Sequence, residues 1–185
     1  MIQAVLAEAN EKMEKAVEAA KDDFGTIRTG RANPAMFQKI IVDYYGTGTP
    51  LGNLASIQVL EARSLAITPY DKGALMNIEK AIRDVPNLGA QPNNDGTVIR
   101  VTLPDLTEER RKELVKRAKS EGEHAKVSIR SARRDVNEEC KKLQKDGLPE
   151  DMIKDAEAKV QQMTDKMIIK VDEVLATKEK EIMTV

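Results

Sequence analysis

Tryptophan is absent from this chain, and only two Phe and three Tyr are present. That scarcity excludes the aromatic-rich core of most β-sandwiches and barrels. The one cysteine, Cys140, cannot form an internal disulfide, which suits a reducing compartment. The one histidine, His124, excludes a multi-histidine metal centre, and its spacing from Cys140 does not complete a zinc site. No apolar run approaches the ~20 residues that a bilayer span requires. The opening Met1-Ile2-Gln3-Ala4-Val5-Leu6 lacks the basic stretch and apolar core of a secretory signal. A cytoplasmic protein with no membrane partner is therefore expected. There is also no Walker-type loop, dinucleotide fingerprint or nucleophile elbow. Gly46-Thr47-Gly48 is too short and too hairpin-like to cradle a phosphate. These absences predict a non-enzyme with no cofactor and no metal.

What the chain has in quantity is charge, about a third of its 185 residues, at a net of only -1. Long, charge-laced helices fit that composition. Ile2, Leu6, Ala9, Met13, Ala16, Ala20, Phe24 and Ile27 recur at helical steps and define one apolar stripe, which stops near Gly30 ahead of Asn33-Pro34. A second stripe runs through Leu114, Ala118, Ala125, Ile129, Ala132, Val136 and Leu143. Thr107 with Glu108 and Glu109 caps its start, and Asp146-Gly147-Leu148-Pro149 ends it. A third comprises Ile153, Ala156, Val160, Met163, Met167, Val171, Val174 and Ile182. Three helices with one stripe each satisfy one another as an elongated bundle.

Residues 31–104 read differently. Six of the seven prolines and seven of the ten glycines lie between Gly30 and Pro104, which marks this stretch as turn-rich. Strand-like runs occupy residues 40–45, 56–60, 65–68 and 98–101, with a helix from Ala74 to Val85 between the last two. The expected fold class is α+β. A discontinuous three-helix bundle, residues 1–30 and 105–185, would carry an inserted small β/α/β domain, residues 31–104. The chain would then cross between domains at Gly30-Arg31 and Pro104-Asp105, making these four residues the candidate interdomain hinge.

Charge segregates in the second helix. Residues 110–145 hold thirteen bases against six acids, a net of +7 in a chain that is nearly neutral. Between Lys126 and Arg134 there are four bases and no acid, and Arg130, Arg133 and Arg134 share one side by their spacing. Arginine forks match phosphate oxygens, and a rigid helix presents them at fixed separation. The plainer reading is a solvated face balanced by acids on neighbouring helices. The acid-free arginine stretch favours a binding face, and the lack of stacking aromatics in the bundle favours folded RNA read by phosphate and shape over single strands. From another class, the alternative is a helical adaptor or chaperone-like protein, which would need apolar residues on two faces of a helix.

Four stretches, with the arginine cluster, resemble the bacterial ribosome recycling factor family. They are Ile27-Arg28-Thr29-Gly30-Arg31-Ala32, Val42-Asp43-Tyr44-Tyr45-Gly46-Thr47, Ile78-Glu79-Lys80-Ala81-Ile82 and Leu106-Thr107-Glu108-Glu109-Arg110-Arg111-Lys112-Glu113-Leu114. The resemblance covers essentially the whole chain. It implies an L-shaped molecule with dimensions like a transfer RNA, acting as a monomer. It implies binding to RNA of the large ribosomal subunit after termination, and subunit dissociation driven by elongation factor G with its own GTP. By position, Arg28, Arg110, Arg130, Arg133 and Arg134 match the family's RNA-facing basic residues. Gly48 and Asp105 depart from the family pattern, which commonly has proline at both places; each should loosen the local backbone.

Overall fold

A helix with one apolar stripe is stable only when that stripe is covered. The computed structural model, which describes residues 1–86 and 88–184, covers all three. In chain order the elements are α1 (Ile2–Gly25), α2 (Ala35–Gln38), β1 (Ile41–Tyr44), β2 (Thr47–Pro50), β3 (Ala55–Glu61), β4 (Ser64–Pro69), α3 (Leu75–Arg83), β5 (Gln91–Asn94), β6 (Ile99–Thr102), α4 (Glu108–Lys145) and α5 (Glu150–Met183). The chain forms two compact units: Met1–Phe24 with Lys116–Glu179, and Gly25–Val115 with Lys180–Val185. These divisions fall within or at the ends of the long helices, several residues from Gly30-Arg31 and Pro104-Asp105.

The first unit is a three-helix bundle. Its α4 contribution is Ala118, Ala125, Ile129, Ala132, Val136, Cys140 and Leu143, all buried. Gly122 lies on the same stripe, where a Cβ would stand 3.2 Å from Leu175 Cδ2 and 3.7 Å from Phe24 Cζ. The missing side chain is what lets the bundle's one aromatic ring lie across α4. Two residues correct the expected stripes. Val17 is buried where Ala16 was expected, because the helical face drifts by a fraction of a residue each turn. Thr164 is buried beside a half-buried Met163, its hydroxyl donating to the Val160 carbonyl at 2.7 Å so that no polar group is left unpaired.

Both ends of α4 follow local chemistry. Thr107 Oγ1 accepts the Arg110 N–H at 3.1 Å, and Glu108 and Glu109 lie in the first turn. At the other end Gly147 adopts φ +100°, its N–H donating to Gln144 O at 3.1 Å and that of Leu148 to Leu143 O at 3.0 Å. This is a Schellman termination, and Pro149 then starts the next helix.

In the second unit, β3-β4-β6-β5 form one antiparallel sheet and β1-β2 a separate hairpin. Period-two burial places Leu65 opposite Val101 and Ile67 opposite Ile99, all four fully buried. α3 packs beside β1 and β5 and supplies Leu75, Ile78 and Ile82 to that core. Two strands were not expected from sequence. Tyr45 (φ +49°) and Gly46 (φ +86°) make the two-residue turn of a hairpin whose register pairs Tyr44 with Thr47, so β2 exists because the turn dictates it. The β5 strand includes Asn93-Asn94, residue types that favour turns, and pairs with β6 through Asn94↔Ile99. The true turn lies one step later, where Asp95 Oδ1 accepts the N–H groups of Thr97 and Val98 at 2.9 and 2.8 Å. Gly48 lies in β2, and a Cβ there would stand 3.0 Å from Ile41 Cγ2.

Two outcomes follow from this packing. Phe24→Ala should lower unfolding stability by about 3–5 kcal/mol, read from urea denaturation, because a fully buried ring leaves a cavity; a loss below ~1 kcal/mol would mean the ring is not packed as described. Burial, then the charges of Glu157 and Glu139, push the Cys140 thiol above its ordinary pKa, so it stays protonated and screened at neutral pH. A thiol reagent at pH 7 should therefore label Cys140 only after denaturation.

Candidate nucleic-acid interface

Residues related by near-whole helical turns share a face. Along the bundle part of α4, that relation joins Lys116, Lys119, Arg130, Arg134, Lys141 and Lys145, on the side away from Ile129, Ala132 and Val136. Among the described residues none of these six makes an ion pair or side-chain hydrogen bond, and all but the half-buried Arg130 are exposed. Sequence reasoning singled out the arginines and left the four lysines as unsorted members of a basic set. The periodicity that sorts them was already present.

The remaining bases of the arginine-rich stretch do other work. Lys126 Nζ reaches Asp172 Oδ1 on α5 at 2.5 Å and Glu123 Oε1 at 3.6 Å, and its side chain is only 15 % exposed. The hydrogen bond it donates to Asp172 is the main reason its pKa is raised. Lys126 therefore holds two helices together rather than facing solvent. Arg133 is half-buried and turns toward α5, where its Nη1 donates to Gln161 Oε1 at 3.3 Å; Gln161 in turn donates to Asp165 at 2.9 Å. It flanks the basic face, and Arg130 and Arg134 occupy it. His124 is exposed on α4.

Arg28 and Arg110 lie in the second unit. Arg28 is 8 % exposed, and its guanidinium donates to the carbonyls of Leu88 (3.2 Å) and Pro104. Burial, followed by the neighbouring charges of Arg110, Arg111 and Arg63, pulls its pKa below the usual arginine value. It remains a cation at neutral pH, spent on backbone carbonyls. Arg110 is half-buried and pairs with Glu113 at 2.7 Å, one turn along α4. Arg111, not singled out from sequence, donates to the carbonyls of Ile182 (2.5 Å) and Thr184 (2.8 Å), and so caps the last turn of α5. Nothing in spacing alone distinguishes a capping arginine from a phosphate-binding one.

The four hinge candidates also lie within this second unit, each beside a fixed neighbour. A Cβ on Gly30 would be 3.2 Å from Thr184 O. Arg31, Asp105 and Arg111 line a cleft of about 620 Å³. Pro104 accepts from Arg28. Asp105 pairs with Arg63 at 2.7 Å. Both side chains of that pair are well exposed, so it adds little stability.

Among the described residues no group of three or more His, Cys, Asp or Glu could hold a metal ion, and no helix is long and apolar enough to cross a membrane. The site that remains is electrostatic. One face of α4 presents six cations that make no ion pair among the described residues, and the donors they carry suit phosphate oxygens.

The model for the ribosome recycling factor family matches residues 20–183. The ribosome-recycling factors of Paenarthrobacter aurescens (strain TC1) and Streptomyces coelicolor (strain ATCC BAA-471 / A3(2) / M145) are 56% and 55% identical, each alignment covering 100% of both chains. A solution structure of the ribosome recycling factor superposes with a TM-score of 0.78 at 42% identity, covering 100% of this chain and 98% of the other. A second solved chain gives a TM-score of 0.70 at 40% identity with both chains fully covered. It comes from a description of the T. thermophilus ribosome recycling factor and the E. coli elongation factor G bound to the E. coli post-termination complex. Full-length identity above one half, together with the same two-unit fold, leaves one assignment: the chain belongs to the ribosome recycling factor family.

Proposed function

We propose that this chain binds the ribosome after termination and, with elongation factor G and GTP, promotes its dissociation into subunits, so that a new round of translation can start. It acts in the cytoplasm, where ribosomes are, and as a monomer. The observation that carries the binding step is the row of unpaired cations along α4, opposite its buried face. A rigid helix with lysines and arginines at whole-turn spacing matches the repeating phosphates of folded RNA without reading bases. The contact set proposed is Arg130 and Arg134, with Lys116, Lys119, Lys141 and Lys145 extending it and Arg133 at its flank. Large-subunit RNA is the partner this face suits.

An adaptor that binds proteins through apolar surface finds less support. The bundle's exposed large apolar side chains, Met1, Val127, Met152 and Ile169, are scattered singly, and the continuous stripes are buried in the core. The chain itself supplies no chemistry in this reading. Its partner hydrolyses the GTP, and the protein acts by occupying a site and transmitting displacement.

Two outcomes test this. Replacing Arg130 and Arg134 together by alanine should weaken binding to the large subunit and flatten the slope of log affinity against log salt by about one per residue. Lys126→Ala should leave that slope unchanged while lowering bundle stability, because its charge is already paired. An unaltered slope in the double variant, with helicity intact by circular dichroism, would remove this face from the account. The purified chain should also show no GTP turnover without elongation factor G, measured as phosphate release; turnover that co-purifies with the chain through successive columns would contradict a non-catalytic role.

A further inference from the structure

Arg28 is a buried cation that the RNA-binding face does not use. Its position in the second unit is unusual because three separate segments of chain meet there. Arg28 lies just after α1, and its guanidinium donates to Leu88 O, in the loop before β5, and to Pro104 O, in the segment between β6 and α4. The two accepting segments also touch each other. Gly89 adopts φ +64°, and a Cβ there would stand 3.2 Å from Pro104 Cγ.

The same region holds both connections of the sheet. The incoming chain donates from Ala32 N–H to Ala62 O at 2.6 Å, and the outgoing chain from Leu103 N–H to Arg63 O at 2.8 Å. Both therefore dock on one hairpin turn, that between β3 and β4. Arg28 adds a second hold on the outgoing chain, at Pro104 O, one residue after Leu103. A guanidinium is suited to it because its planar fork can reach two carbonyls at once, whereas an ammonium is a single point. A phosphate contact would need those donors free and facing solvent, and here they are turned inward.

We propose that Arg28 is a positioning residue, which fixes where the chain enters and leaves the sheet and so sets the start of α4, and that it is not a contact to ribosomal phosphate. Resting on the recycling function above, its role is to keep this junction taut. Displacement delivered to the sheet then reaches α4 and is not absorbed by slack in the 88–90 and 104–106 segments.

The test compares the parent with Arg28→Lys, Arg28→Ala and Gly89→Ala on intact post-termination ribosomes, at a temperature where melting curves show every variant folded. Gly89→Ala disturbs the same junction with the arginine untouched. For all three variants we expect an unchanged salt slope of ribosome binding. We also expect the splitting rate at saturating protein to fall by about tenfold or more, the scale of one charge-assisted hydrogen bond. In the free protein the amide signals of Gly89 and Asp105, each following a carbonyl that Arg28 holds, should shift in both Arg28 variants. Arg28→Lys should fail to rescue splitting, since it keeps charge and loses the fork. The inference is overturned if Arg28→Ala lowers the salt slope by about one, as loss of a phosphate contact would. It is equally overturned if Arg28→Lys or Gly89→Ala splits ribosomes at the parent rate. Should the parent itself not split ribosomes, the recycling reading fails, and the salt slope and amide shifts still decide whether Arg28 holds carbonyls or phosphate.

Discussion

Burial of one stripe of α4 governs the rest of this structure. Once Ile129, Ala132, Val136 and Cys140 are committed to the bundle, helical periodicity leaves the opposite side for residues that must stay in water. Lys116, Lys119, Arg130, Arg134, Lys141 and Lys145 occupy that side with no acid assigned to them among the described residues. The flanks between the two faces are where charges are neutralised, as Lys126 is by Asp172. A protein of net charge -1 thus acquires a local anion-binding surface by sorting its charges.

Arginine plays two roles here that composition cannot separate. On α4, Arg130 and Arg134 keep their forks free. In the second unit, Arg28 and Arg111 use theirs on backbone carbonyls, one at a meeting of three segments and one at the end of α5. Such carbonyls carry no charge, so both cations are held by dipoles; burial lowers the pKa of Arg28, whereas its acidic partner raises that of Lys126. Pairing with a carboxylate braces two helices; pairing with carbonyls fixes a backbone path.

Much of the fold was legible because strong periodicity and strong end signals coincide. The α4 stripe, the Thr107 cap and the Gly147 termination could each be read from residues alone. What escaped reading depends on contacts between segments. The β2 strand follows from a turn whose first residue, Tyr45, takes a left-handed conformation that a tyrosine rarely adopts. The turning of Arg133 toward Gln161 depends on where the neighbouring helix lies. Arg28 is the sharpest case: its partners are sixty and seventy-six residues away in sequence, so no local pattern could distinguish a buried clamp from a surface contact.

The central claim is that one face of α4 meets the ribosome and that the cations on this face are left unpaired by the fold. Covalent labelling of lysines by an amine reagent, read residue by residue with and without bound post-termination ribosomes, tests it most directly. The account predicts strong protection of Lys116, Lys119, Lys141 and Lys145 on binding, with α1 lysines such as Lys12 and Lys15 labelled equally in both states. Protection of the α1 lysines with continued labelling along α4 would contradict it.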